Sequence, residues 1–186
     1  MRNEKNLRNT FSSSADIPLH DVQDFVTAAW VGDERAVKNY IDKNPGQLDQ
    51  KNEWGNTALI AAAAAGNEDV VNLLIRSRAT LDEGNFNNHT ALMLAAMNGR
   101  AAVVQRLIDA GADIEARDRS GHTALQLANV RNKNQVVQVL YKAQRRLEDL
   151  REEQKREEQR RKNNDVLTQG VVVRPEHFIR LRFRGM

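Results

Sequence analysis

The chain has no cysteine, which excludes disulfides, thiolate zinc sites and cysteine nucleophiles, and the side chains to weigh for chemistry are four histidines and a run of three serines. The histidines are His20, His89, His122 and His177, and the serines are Ser12, Ser13 and Ser14. A serine nucleophile needs an oriented base beside it. The nearest carboxylates, Asp16 and Asp21, lie in the same polar stretch, which reads as linker. His89 and His122 are 33 residues apart and fill the same place in two successive segments. Stacked helical units lie about 8–10 Å apart, too far for both rings to meet one ion at ~2 Å bonds. The expectation is therefore two solvated surface histidines. There is no His-Glu-x-x-His metal motif and no phosphate-cradling Gly-x-x-x-x-Gly-Lys-Ser/Thr loop. These absences predict a protein that is not an enzyme and uses no metal, cofactor or small-molecule substrate.

The elements that would carry these residues follow from an internal repeat. Gly55–Gly66, Asn88–Gly99 and Gly121–Asn132 align without gaps. Thr57, Thr90 and Thr123 stand 33 residues apart, as do Leu59, Leu92 and Leu125. The same step joins Val71, Val104 and Val137, then Leu74, Leu107 and Leu140, and then Leu48, Leu81 and Ile114. A weaker copy precedes them at a step of 34, with Phe25 in the place of Leu59 and Gly32 in the place of Gly66. Each copy reads as a turn, a threonine N-cap, a short alanine-rich helix, a left-handed glycine end and a second amphipathic helix. One such hairpin cannot cover its own apolar face, so three or more must stack.

The 33-residue period and the Gly-x-Thr-x-Leu core resemble the ankyrin-repeat family over roughly residues 21–141. Two features depart from the family signature. Alanine stands for its proline at Ala58, Ala91 and Ala124, and Ile60, Met93 and Gln126 stand for its histidine. Both changes are expected to weaken the helix starts. The resemblance implies an all-α solenoid with repeats near 21–50, 51–84, 85–117 and 118–141. It also implies a protein that binds another protein on a concave face built from the tips and the first helices. Carried over position by position, that face holds Trp30, Trp54, Asn56, Phe86, Asn87, His89, Met97, Arg119, His122 and Arg131. Trp30, Trp54, Phe86 and Met97 would be its apolar anchors, unless the tryptophans tuck against their own or neighbouring repeats. Arg119 and Arg131 would form a polar rim. An exposed line of large apolar groups commonly marks an interface.

Charge is unevenly placed. Residues 1–141 carry 15 Lys+Arg and 17 Asp+Glu, whereas 142–186 carry 13 and 8. The nearly neutral body argues against nucleic acid on the repeats. Residues 142–162 read as a charged helical extension with i,i+4 pairs Glu152–Arg156, Glu157–Arg161 and Glu158–Lys162. Its apolar seam, Ala143, Leu147 and Leu150, is too short for a coiled coil. A break is expected over Asn163–Gly170. In the basic tail, 163–186, Ile179, Leu181 and Phe183 alternate with Arg180, Arg182 and Arg184. That tail reads as disordered or loosely docked. Its functional alternatives are strand addition to a partner, contact with acidic membrane or nucleic acid, or a signal. Residues 1–20 read as a disordered polar tail. No stretch approaches the ~20 apolar residues of a membrane span, and no Sec-type leader is evident. A cytoplasmic monomer is expected. A second expectation comes from the Glu-rich block and short tail, which resemble export signals of bacterial type IV ankyrin effectors. In that case the chain would be secreted into a host cell by a non-Sec route and act on host proteins.

Overall fold

The computed structural model describes the backbone of residues 22–169 and the side chains of 22–163. His20, His177, Ser12–Ser14, Arg180, Arg182 and Arg184 lie outside the described residues, as do the expectations for the two terminal tails. Within them the chain is all helical, with no strand. Four pairs follow in order: α1 (Val22–Val31) with α2 (Glu34–Lys43), α3 (Ala58–Ala65) with α4 (Glu68–Arg76), α5 (Ala91–Met97) with α6 (Ala101–Asp109), and α7 (Ala124–Val130) with α8 (Asn134–Gln169). The first helices α1, α3, α5 and α7 pack side by side in sequence, and α2, α4 and α6 form a parallel row behind them.

The short first helices exist because their starts are fixed. Thr57 Oγ1 accepts from the Ile60 amide at 3.3 Å, Thr90 Oγ1 from Met93 at 3.3 Å, and Thr123 Oγ1 from Gln126 at 3.4 Å. Each bond satisfies one of the helix's orphan donors. Losing the family histidine does not weaken the last of these starts. Gln126 Oε1 accepts from the Thr123 amide at 2.9 Å and closes a capping box. The ends are equally regular. Gly66, Gly99 and Asn132 take φ of 91°, 74° and 55°, so an asparagine replaces glycine at the last of three left-handed positions.

Between helices the contacts are mostly alanine and branched aliphatics. Phe25, Leu59, Ile60, Leu74, Leu92, Met93, Leu107 and Leu140 are all buried in one continuous core. Each fully buried large side chain contributes about 1.5–3 kcal/mol over an exposed one. In the first repeat Phe25 and Tyr40 stand where the following repeats carry leucine, and their rings stack with centroids 4.0 Å apart. Polar bonds repeat with the same register. Asp49 accepts from the Thr80 amide and Asp82 from the Asp113 amide, each at 2.9 Å and 31 residues on.

The chain divides into two compact units, 1–144 and 145–186. In the first, Val136 and Leu140 of α8 belong to the core. In the second, the described side chains of α8 are exposed, Leu147 and Leu150 included. Two of the three expected pairs form there, Glu152–Arg156 at 3.3 Å and Glu158–Lys162 at 2.7 Å. The break expected over Asn163–Gly170 does not begin at Asn163, because the helix runs to Gln169. Once a helix is nucleated each added residue gains a bond, and an asparagine costs only a few tenths of a kcal/mol against better formers.

Candidate protein-binding face

The tips between helix pairs are built by one column of side chains. Asn52 Oδ1 accepts from the amides of Trp54 and Asn56 at 3.1 and 3.0 Å. Asn85 Oδ1 accepts from Asn87 and His89, both at 3.0 Å, and Asp118 Oδ1 from Ser120 and His122, both at 2.8 Å. Each side chain thus replaces backbone acceptors inside a tight turn. Asn52 and Asp118 are themselves buried. The third residue after each takes a left-handed conformation: Gly55 at φ 75°, Asn88 at 59° and Gly121 at 84°. The sequence carried this signal as Asn, Asn and Asp at a step of 33, but the residues read only as general turn formers.

Neighbouring tips are tied to one another. Asn85 Nδ2 donates to Asn56 Oδ1 at 3.0 Å, the Arg119 amide to the Asn87 carbonyl at 3.0 Å, and Asn88 Nδ2 to the Arg117 carbonyl at 2.6 Å. Asn56 and Asn87, both expected in the binding face, therefore also help hold its frame. The Phe86 ring lies over the tip before it. A Cβ on Gly55 would sit 2.7 Å from the ring, which is why that turn tolerates only glycine.

The residues between these frame positions are open. Trp30, Trp54 and Phe86 are 54%, 58% and 57% exposed, and neither tryptophan is tucked into the stack. Val31 and Val130 are exposed as well. Met97 differs from the expectation, because it is only partly exposed, and Ala64 in the same row is buried. The apolar surface is thus concentrated at Trp30–Val31, at Trp54–Phe86 and at Val130, without a continuous line through the middle of the first-helix row. Arg119 and Arg131 are exposed and make no side-chain hydrogen bond or ion pair among the described residues.

Of the two histidines expected at the surface, His122 is exposed and His89 is not. His89 is half-buried, and its Nε2 lies 3.5 Å from Asp118 Oδ2. His122 Nδ1 is 3.5 Å from the same oxygen. The two rings flank one carboxylate supplied by the later repeat's own tip. Repeat spacing places the backbones, but it does not reveal that a carboxylate of the next turn fills the gap. The His122 amide donating to the Asp118 carboxylate holds that group below its ordinary range. The Ser120 amide and the two imidazoles add to this, while burial opposes it. Among the described residues no group of three or more histidine, aspartate or glutamate side chains is arranged to hold a metal ion, and no helix is long and apolar enough to cross a membrane.

Comparison with known families agrees with this architecture. The family described as ankyrin repeats (3 copies) matches residues 25–118 and 81–149. The chain belongs to the ankyrin-repeat family, whose repeats are generally non-enzymatic protein–protein interaction modules. No curated protein sequence matches the chain.

Proposed function

We propose that this chain captures a segment of another protein along the tips and the ends of its first helices, with Trp30, Trp54 and Phe86 as anchors. One observation carries the reading. Three large aromatic side chains are more than half exposed, and neither tryptophan is tucked into the stack. A stack with so few aromatics, 5% of residues, would gain by burying them instead. Tryptophan is the residue type most often responsible for binding energy at the centre of an interface. The frame beneath is rigid, since the tips are fixed by Asn52, Asn85 and Asp118 and tied to each other. Binding then requires little ordering of the receptor.

The test compares affinity capture by the wild-type chain and by a Trp54→Ala/Phe86→Ala variant, with retained proteins identified by mass spectrometry. A partner held by the wild type alone, with helical circular dichroism unchanged in the variant, supports the reading. Equal capture by both chains refutes it.

A further inference from the structure

The chemistry of the partner can be read from how the face is sorted. Two rows of side chains run along the stack, and they change character in the same direction. Along the tips, Trp54 belongs to the second repeat, Phe86 to the third and Arg119 to the fourth. Along the ends of the first helices, Trp30 and Val31 close α1, Met97 closes α5, and α7 ends in the exposed Val130 followed by Arg131. Among the described residues, both rows therefore start from an aromatic side chain and gain an arginine at the fourth repeat.

The two arginines are uncommitted cations among the described residues of this surface. Others nearby are already engaged. Lys51 Nζ pairs with Glu83 at 2.9 Å, Arg117 Nη1 donates to the Gly121 carbonyl at 2.7 Å, and Arg100 Nε donates to the Ala64 carbonyl at 3.4 Å. The carboxylate closest in sequence to Arg119 is Asp118, which is buried, accepts from two amides at Oδ1 and has an imidazole 3.5 Å away on each side of Oδ2. At the opposite end the exposed charge beside Trp54 is the acid Glu53. A carboxylate from a partner is attracted at the fourth repeat and repelled at the second.

We infer that the face takes a directional acidic peptide segment: apolar anchors at Trp30, Trp54 and Phe86, and carboxylates of the same segment at Arg119 and Arg131. This rests on the reading that the face is the binding site. Adjacent repeats are about 8–10 Å apart, and an extended chain advances roughly 3.3 Å per residue. The carboxylates then fall about three to six residues from the group held at Phe86 or Trp54. They lie on one side of it only, because the receptor has one polarity. Arginine's planar fork suits this task, as it can grip a carboxylate through two parallel bonds.

Random 16-residue peptides displayed on phage, selected on the full chain, test the inference. Enriched sequences should place Asp or Glu three to six residues to one side of an aromatic or branched aliphatic residue. A synthetic copy of the best peptide should weaken about 10-fold when its acids become Gln or Asn, and to a similar extent against Arg119→Gln/Arg131→Gln. The two changes combined should lose little more than either alone, since they remove the same contact. Peptides that need Trp54 and Phe86 but show no acidic preference would overturn the inference and leave the face standing. Peptides unaffected by Trp54→Ala/Phe86→Ala would overturn both.

Discussion

The second and third repeats bury their repeat residues on both sides, whereas among the described residues the fourth meets no further repeat. Leu59 and Leu92 are buried, but Leu125 in the same column is only partly so. Thr57 and Thr90 are buried and Thr123 is not, and Ile60 and Met93 in the core give way to exposed Gln126. The open side leaves a recess of about 350 Å³ lined by Ile114, Thr123, Leu125 and Leu140, with Glu115, Arg117 and Gln144. The same local sequence thus carries different weight according to its neighbours, as expected for a solenoid whose stability is a sum of repeats and interfaces. The terminal repeat adapts by exchanging an apolar contact for a capping box at Gln126.

The largest effects should expose this inequality directly. Leu92→Ala should cost about 3–5 kcal/mol of unfolding free energy, and Leu125→Ala roughly 1–2. Urea titrations of both variants measure the difference, and equal losses would show that the fourth repeat is as enclosed as the third. Next come the left-handed tip glycines. Gly55→Ala combines an unfavourable φ with a Cβ 2.7–2.8 Å from the Phe86 ring and the Phe86 amide nitrogen, whereas Gly121→Ala meets nothing within 4 Å. The second should cost about 1–2 kcal/mol for conformation alone, and the first clearly more. A matching pair of thermal melts would remove the role assigned to Phe86.

Smaller in size and opposite in sign is Arg78→Gly. Arg78 takes φ 67° where its counterpart in the next repeat is Gly111 at 94°. Glycine there should stabilise by about 0.5–1 kcal/mol, and an unchanged denaturation midpoint would argue against strain at that position. The subtlest comparison is between Asp118 and its equivalents Asn52 and Asn85, which fix the same turn without a titrating group. Asp118 is held below its ordinary value of 3.8 in the folded state. Its contribution is fully present above that value and is lost as pH falls through the lower, folded one. Asp118→Asn should keep the turn and flatten the loss of stability in acid. Parallel curves for the two chains between pH 6 and 3 would show that the carboxylate adds nothing.

Most of the stack was legible in the sequence, because its determinants are local and periodic. Thr57, Thr90 and Thr123 cap helices, and Gly66, Gly99 and Asn132 end them, by interactions within a few residues. What escaped depends on contact between repeats. The meeting of His89 with Asp118 requires knowing how one tip faces the next. The burial of Ala64 and the partial cover of Met97 depend on how tightly α3, α5 and α7 approach. The continuation of α8 past Asn163 was hidden for another reason. The helix gains there are small increments shared over many residues, and no single residue marks them.

The column Asn52, Asn85 and Asp118 has one more consequence. Because that one side chain sets the shape of each turn, the two residues after it, Glu53–Trp54, Phe86–Asn87 and Arg119–Ser120, project from a scaffold that mostly does not depend on their identity. Substitutions at these pairs can therefore alter what the surface recognises without passing through unfolded intermediates. A lineage carrying this frame can explore new partners two residues at a time, while the fold that presents them is inherited intact.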